Sequence, residues 1–246
     1  MIEYAVTTEI GDKEKNEDSV RVFVNQKYST YGFVAADGLG GHGNGDVASS
    51  LVTECVGAGI ETNDDFSSIF IDDCFASAQE ILMKEKERRG LYSIKTTMSL
   101  LVITNNVAHW GHIGDTRIYY FRGGKMIDRT LDHSLPQMLA LSGEIKEKDI
   151  RHHESRNMLL RAMGTEWDEP QFEIDKRRHR LKTGDTFLIC TDGFWEWIED
   201  KTMSKILKKE LSAYDSLSLM NEEVLKNARE AEADMDNYSA ILITVR

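Results

Sequence analysis

Five acidic stretches of the chain share one setting: each lies at or beside the end of a predicted strand, in turn-forming sequence. They are Glu17–Asp18, Asp37–Gly38, Asp115, Asp192–Gly193 and Asp236–Asn237. An Asp-Gly pair after a strand is commonly only a turn, and that interpretation stays open for each stretch alone. The strands predicted at 32–36 and 187–191 are strongly apolar, however. We therefore expect the carboxylates that follow such buried strands to converge at one sheet edge.

Carboxylates that converge in this way need counterions. Two unit charges 4 Å apart repel by about 4 kcal/mol at an effective dielectric near 20, and a typical domain is stable by only about 5–15 kcal/mol. Ligation by oxygen alone, without paired Cys/His spacing, selects Mg2+ or Mn2+ over zinc. Two such ions can hold and deprotonate a bridging water for in-line attack on phosphorus. The acidic pattern therefore predicts a site for divalent cations.

The glycine-rich stretch 37–46 also matches a nucleotide-binding pattern. Gly38, Gly40 and Gly43 spell G-x-G-x-x-G between a predicted strand and a helix, as in a dinucleotide-binding turn. A βαβ crossover is required for that fold, whereas the helix predicted at Val47–Gly59 is followed by another helix. An acid at the mouth of the turn would also repel a pyrophosphate. The dinucleotide hypothesis is thus the weaker alternative.

Composition narrows the function classes. The 246 residues carry a net charge of −12, which argues against a nucleic-acid or anionic-membrane surface. The first ten residues lack a secretory apolar block, and the uncharged stretch 96–114 reads as a hairpin rather than a membrane span. The cysteines have unrelated spacings that imply neither disulfides nor a zinc site, and none begins a Cys-x5-Arg loop; they are Cys55, Cys74 and Cys190. We expect one domain, 1–246, in a reducing cytoplasm.

The hydrophobic pattern predicts strands in series, interrupted by pairs of helices. Expected strands are Tyr4–Thr8, Val20–Val24, Tyr31–Ala36, Thr97–Thr104, Val107–His112, Arg117–Phe121, Met126–Arg129, Phe172–Asp175, Phe187–Thr191 and Tyr238–Val245. Expected helices are Val47–Gly59, a second running from about Phe66 to Arg89 with Asp64 or Asp65 as its cap, Thr202–Leu211 and Leu217–Ala231. This order is not βαβ alternation. It predicts an α+β fold, a four-layer α-β-β-α sandwich of two mostly antiparallel sheets flanked by helix pairs.

At this point the residues resemble a known family, the metal-dependent type 2C (PPM) serine/threonine protein phosphatases in their compact bacterial form. The motifs follow the family's order from the N-terminal turn to the last strand. They are Gly11–Asp18 (GDKEKNED), Asp37–Gly45 (DGLGGHGNG), Thr96–Ile103 (TTMSLLVI), Gly114–Phe121 (GDTRIYYF), Asp132–Ser134 (DHS), Arg156–Gly164 (RNMLLRAMG), Cys190–Glu196 (CTDGFWE) and Asp236–Ile243 (DNYSAILI).

The resemblance implies hydrolysis of phosphoserine or phosphothreonine in proteins by a water that two Mn2+ or Mg2+ ions activate, without a covalent phosphoenzyme. By motif position, Asp37 bridges both ions and the Gly38 carbonyl binds one. The remaining ligands implied are Asp192 and Asp236 directly, Glu17 and Asp18 through water, and Asp115 with Asp192 at a third, weaker ion. His42 matches the histidine proposed as general acid, although a loop histidine bound to turn backbone is the simpler alternative.

One departure concerns the substrate phosphate. The family usually has arginine where this chain has Lys13, a point charge without the planar fork, so we expect weaker or less oriented phosphate binding. A solvated turn lysine is the alternative. Residues 133–165 resemble the family's flap, which influences substrate choice, and His133 is expected to order a loop.

Two other functions stay open at this point: removal of AMP from a modified side chain by the same fold, and a non-catalytic pseudophosphatase. The presence of every metal carboxylate in the pattern speaks against the second. We expect a monomer whose partners are phosphorylated proteins, including a Ser/Thr kinase that it opposes. Neither nucleic acid nor a membrane is expected as a partner.

Overall fold

The computed structural model describes residues 1–40, 43–91 and 93–246. Its strands are β1 (Ile2–Glu9), β2 (Asp18–Asn25), β3 (Thr30–Asp37), β4 (Met98–Thr104), β5 (Val107–Ile113), β6 (Arg117–Arg122), β7 (Lys125–Arg129), β8 (Glu173–Ile174), β9 (His179–Arg180), β10 (Asp185–Cys190) and β11 (Tyr238–Val245). Its helices are α1 (Gly45–Thr62), α2 (Ser68–Arg89), α3 (Leu135–Ser142), the single turn α4 (Asp192–Trp195), α5 (Asp200–Leu207) and α6 (Ala213–Glu230), with a 3-10 helix at Glu147–His152.

The strands form two antiparallel sheets. Sheet I has the order β1-β11-β10-β6-β7, and sheet II has the order β2-β3-β4-β5-β8, with β9 also paired to β5. The last strand lies between β1 and β10, which explains why it is apolar on both faces. The N-terminal ammonium also donates to the Arg246 carbonyl at 2.8 Å, so both ends of the described chain meet on sheet I.

Alternating side chains of each strand supply two faces, and these faces build the layers. Phe33 and Leu101 of sheet II pack against Phe187 and Ile241 of sheet I in the core between the sheets. On the outer face of sheet II lie α1 and α2, and on the outer face of sheet I lie α5 and α6. The predicted α-β-β-α sandwich is confirmed.

The connection between β3 and β4 decides the dinucleotide question. It contains α1 and then α2, and the two strands that it joins pair directly as antiparallel neighbours. A dinucleotide-binding unit needs a parallel crossover, so that alternative is wrong.

The predicted cap of α2 is also wrong, because Ser67 caps the helix. Asp65 instead accepts hydrogen bonds from the Ser67 N–H and hydroxyl and thereby orients the cap.

One end of the sandwich collects the strand ends that carry acids. Asp18 begins β2 directly opposite Asp37, which ends β3. On sheet I, β10 ends just before Asp192 and β11 begins just after Asp236. Asp115 lies in the turn between β5 and β6 and so connects the two sheets. In the described ranges we find no helix with the length and apolarity that a bilayer crossing requires.

Candidate metal centre

A cavity of about 500 Å³ opens at this end of the sandwich. The predicted ligands on its wall are Glu17, Asp37, Gly38, Asp115, Asp192 and Asp236. Asp18 lies beside them, where the charges of Asp192 and Asp236 act on it. The structure thus brings the predicted carboxylates together from both sheets. His42, the predicted general acid, lies outside the described residues.

Burial and mutual repulsion raise the pKa values of these carboxyls. The pKa of Asp37 is raised well above its ordinary value, first by burial and then by the charges of neighbouring aspartates, Asp192 foremost. The pKa of Asp115 is raised in the same way, by burial and then by Asp192. Burial raises the pKa of Asp192 to about 6, with the Asp236 charge as the next cause. Several carboxyl groups that repel one another are thus buried together here, and a bound cation would relieve this repulsion.

Asp18 provides a separate test of whether a cation fits. Burial raises its pKa to about 7, although hydrogen bonds from hydroxyl groups oppose the shift. Its Oδ2 accepts the Thr191 hydroxyl at 2.8 Å, whereas its Oδ1 is buried and has no hydrogen-bond partner among the described residues. A buried carboxylate oxygen with no donor is costly. An all-oxygen site for a divalent cation, reached directly or through water, fits this orphaned atom and its acidic neighbours.

Two glycines of the Asp-Gly pairs are required by close backbone approach. A Cβ added to Gly38 would lie 2.2 Å from the Gly45 carbonyl oxygen, and one added to Gly193 would lie 2.2 Å from the Asn237 carbonyl oxygen. These contacts bring the stretch after β3 against the start of α1, and α4 against the start of β11. The glycines therefore pack the acidic stretches together, beyond the requirement of a simple turn.

Asn237 holds the N-terminal turn against the last strand. Its Nδ2 donates to the carbonyls of Ile10 (2.8 Å) and Lys15 (3.0 Å), and its Oδ1 accepts the Glu17 N–H at 2.7 Å. The Glu17 carboxylate in turn accepts the Gly45 N–H at 3.2 Å, at the N-terminus of α1. Asn237 thus places the turn that carries the first predicted ligands. The position of Asn237 beside Asp236, just before a buried strand, is the signal in the sequence that could have identified it.

Lysines line the rim of the cavity beside the carboxylates. Lys13 Nζ lies 3.6 Å from Asp236 Oδ2, and both side chains are well exposed. Lys15 also lines the cavity and pairs with Asp46 at 2.7 Å. Exposed pairs of this kind contribute little stability. The weak pairing with Asp236 therefore leaves the Lys13 ammonium group available to a phosphate that enters the cavity.

Trp195 fixes the turn that carries Asp115. Its indole N–H donates to the Asp115 carbonyl at 2.9 Å, and the Arg117 guanidinium lies 3.4 Å above its ring. Arg117 is buried and makes a two-pronged pair with Asp132, at 2.8 and 2.6 Å. This role was not predicted from the sequence. Spacing within the chain gives no signal for a contact between residues 115 and 195.

A second cluster, outside the cavity lining, consists of His112, His133 and Glu173, whose candidate ligand atoms lie within 4.8 Å of one another. His133 Nδ1 accepts the Gly114 N–H at 3.2 Å, which places the proton of the neutral ring on Nε2, 3.2 Å from Glu173. His112 Nε2 faces the Leu131 carbonyl at 2.8 Å and must donate to it. The neutral His133 ring has one nitrogen lone pair, and the Gly114 N–H already uses it, so His133 cannot complete a metal site with His112 and Glu173. Hydrogen bonding by His133 therefore orders the loop before Asp115, as predicted.

The flap-like segment contributes to the cavity wall. Asn157 and Leu159 line the cavity, and Leu159 forms an isolated β-bridge with Ser134 at the segment's start. Arg156 pairs with Glu196 at 3.0 Å. Burial, and then the Asp192 charge, raise the pKa of Glu196 to about 7. The segment thus closes one side of the acidic cavity, a feature that its polar sequence did not reveal.

Comparison with known proteins agrees with this geometry. The family model described as protein phosphatase 2C matches residues 7–237. A serine/threonine phosphatase stp of Listeria innocua is 31% identical over 202 residues, 80% of this chain and 79% of that protein. The crystal structure of serine/threonine phosphatase Stp1 from Staphylococcus aureus superposes with a TM-score of 0.89 at 25% identity, covering 100% of this chain and 96% of that one.

A third comparison concerns a metal-loaded relative. The catalytic domain of the serine/threonine protein phosphatase PstP, solved in complex with two manganese ions, has a TM-score of 0.80 at 24% identity. It covers 99% of this chain and 97% of that chain, and at this identity it shows the shared fold. Together, the family match, the relatives and the fold confirm the predicted family. The chain belongs to the protein phosphatase 2C family of serine/threonine protein phosphatases.

Proposed function

We propose that this protein hydrolyses phosphoserine and phosphothreonine in proteins with two Mn2+ or Mg2+ ions held by its acidic edge. Asp37, the Gly38 carbonyl, Asp192 and Asp236 would hold these ions, with Glu17 and Asp18 acting through water and Asp115 serving a weaker third ion. The main observation in support of this proposal is that desolvated carboxylates from both sheets meet at one open cavity. When bound, the ions would neutralise these charges and activate water for attack on phosphorus, so no covalent phosphoenzyme is needed.

The side chains of the rim would supply substrate binding. Lys13, at the cavity wall and close to Asp236, would bind the phosphate as a point charge. Asn157 and Leu159 of the flap-like segment would contact residues that flank the phosphorylated side chain. His42, which follows Gly40 and Gly41 in the sequence, would protonate the leaving serine or threonine oxygen.

The open cavity could admit a phosphorylated side chain of a protein, and the relatives are described as serine/threonine phosphatases. We infer a monomer that reverses the action of a Ser/Thr kinase, with phosphoproteins, the kinase among them, as partners. The net charge of −12 gives no support to a nucleic-acid or membrane partner.

Turnover of p-nitrophenyl phosphate and of a phosphothreonine peptide, with and without Mn2+, tests the proposal. We expect metal-dependent hydrolysis of both, and a fall of roughly 100-fold or more in kcat/KM for Asp192→Asn, since it removes a direct ligand. Asp234→Asn is the matched control, because Asp234 is exposed and absent from the cavity lining. Hydrolysis of an AMPylated peptide but not of phosphopeptides would instead support the other leaving group. Metal binding without turnover of any of these substrates would refute an enzymatic role.

A further inference from the structure

Two buried threonine hydroxyls lie between the stretches that carry Asp37 and Asp115. Thr97 Oγ1 and Thr116 Oγ1 are 2.6 Å apart, and both residues have no exposed surface. Thr97 directly precedes β4 of sheet II, and Thr116 directly precedes β6 of sheet I. The hydroxyl pair therefore joins the two sheets immediately behind the acidic edge.

Thr97 makes hydrogen bonds to both backbone polar groups of Asp37, its N–H and its carbonyl. Its hydroxyl oxygen accepts the Asp37 N–H at 2.9 Å, and its own N–H donates to the Asp37 carbonyl at 2.9 Å. The Thr96 hydroxyl adds a second donor to that carbonyl, at 2.7 Å. The end of β3 is thus fixed through its main chain, which leaves the Asp37 carboxylate to face the cavity.

The same threonine also contacts the turn that carries Asp115. Besides the hydroxyl bond to Thr116, the Thr97 methyl group packs on Gly114, where an added Cβ would lie 2.5 Å from it. The Ser99 hydroxyl donates to the Thr116 carbonyl at 2.5 Å. Thr97 therefore touches the residues on both sides of Asp115 while it also holds Asp37.

We propose that Thr97 is a positioning residue that sets the Asp37 and Asp115 carboxylates at the spacing required for divalent cations. The inference rests on the proposed function, since it assumes that these carboxylates bind metal. Without the hydroxyl, the buried Asp37 N–H loses its acceptor and Thr116 loses its partner across the sheets. The end of β3 must then shift to find another acceptor, and the Asp37 carboxylate shifts with it.

The substitution Thr97→Val isolates the hydroxyl, because valine keeps the branched shape that packs on Gly114. Thr97→Ser restores the oxygen and lacks only the methyl group. The matched control is Thr30→Val. Thr30 lies at the opposite end of β3, is equally buried, and makes a hydroxyl pair with Thr104 of β4 at 2.8 Å. At a rise of about 3.3 Å per residue, the two sites are roughly 23 Å apart.

Calorimetric titration of the full chain with Mn2+ gives a readout independent of turnover. We expect Thr97→Val to bind Mn2+ roughly tenfold more weakly than wild type, equivalent to about 1.4 kcal/mol. Thr97→Ser and Thr30→Val should bind within about threefold of wild type, or about 0.6 kcal/mol. Thermal unfolding in EDTA measures the structural cost of each hydroxyl and should show similar losses for the two valine variants. Equal weakening of Mn2+ binding by both valine variants, or none by Thr97→Val, would overturn the proposal.

Thr116→Val tests the same link from the other sheet, should Thr97→Val fail to fold. It leaves the acceptor of the Asp37 N–H in place and removes the connection to sheet I, so Mn2+ binding should weaken by about threefold or more. Unchanged binding in this variant would count against the inference. Wild-type protein that binds no Mn2+ would instead defeat the proposed metal centre itself, so the two failures are distinguishable.

Discussion

Removal of the Asn237 side chain offers a sharp test of how the acidic edge is assembled. Asn237→Ala deletes two donors, to Ile10 and Lys15, and the acceptor of the Glu17 N–H. Each bond contributes about 0.5–1.5 kcal/mol net, and a buried donor left unpaired costs about 1–3 kcal/mol. Asp12 still bonds twice to Met235, which retains part of the turn. We therefore expect a loss of about 2–4 kcal/mol in the free energy of unfolding.

Urea unfolding in EDTA measures this loss without a contribution from metal. At a slope of about 3 kcal/mol/M, the midpoint should fall by about 1 M. Asn227→Ala is the matched control, because Asn227 donates a side-chain hydrogen bond to the Trp197 carbonyl at 2.8 Å and neither residue lines the cavity. Mn2+ binding should also weaken in Asn237→Ala alone, since the turn carries Glu17. A midpoint no lower than that of the control would refute the anchoring role.

Four further predictions follow from other contacts. Lys13→Arg should lower KM for p-nitrophenyl phosphate, because a planar fork grips phosphate better than a point charge; an unchanged KM argues against phosphate contact. Asp132→Asn should destabilise the chain by about 3–5 kcal/mol in urea unfolding, because it leaves the buried Arg117 guanidinium without its counter-charge; a loss below 1 kcal/mol would contradict this. Burial lowers the pKa of His133 to about 4, so the contribution of this histidine to stability should fall from about pH 6.5 towards pH 4, while the raised carboxyl pKa values of the acidic edge act in the opposite direction; as the pH falls over this window the free energy of unfolding of His133→Gln should rise relative to that of wild type, and a difference that stays constant with pH would exclude this role. Mn2+ at 100 times its Kd should stabilise the protein by about 2.7 kcal/mol, or about 5–10 °C in Tm; a Tm indifferent to EDTA and Mn2+ would count against the site.

The sign of the His133 prediction follows from proton linkage. A base with a depressed pKa in the folded state binds fewer protons there than in the unfolded chain between about pH 4 and pH 6.5. Protonation of His133 therefore favours unfolding over that window, at 1.36 kcal/mol for each unit of pKa difference. Glutamine keeps a polar side chain in the loop and removes the titration. The basal stability of the variant near pH 8 serves as its internal control.

Much of the fold could be predicted because most elements have unambiguous apolar patterns. The last strand has the bounds expected, Tyr238–Val245, since every residue in it is buried. The convergence of acids was also predictable, because apolar strands must align in a common core. Helix α3, the 3-10 helix, the turn α4 and strand β9 were not predicted, since segments of two to eight residues are too short to show a clear hydrophobic period.

Long-range polar contacts account for the rest of what was missed. The Trp195 indole contacts the Asp115 carbonyl, 80 residues away in the sequence, and Asn237 contacts Glu17, 220 residues away. Such pairs depend on which strand ends meet, so they become visible only once the sheets are assembled. A local pattern can show that a residue is polar and near a strand end, but not which carbonyl it will contact.

The hydrogen bonds at the acidic edge hold its acids mainly through their backbones. Asp37 is bound through its N–H and carbonyl, Glu17 through its N–H by Asn237, and Asp115 through its carbonyl by an indole. Main-chain anchoring of this kind fixes where these carboxylates lie, although Glu17 and Asp18 each also use a carboxylate oxygen in a hydrogen bond. The folded backbone thus holds the carboxylates close together against their mutual repulsion, and a cation would find the ligands already in place. The metal-free protein should consequently remain folded, less stable than the loaded form but with its acidic edge intact, unlike small domains that need metal to fold at all.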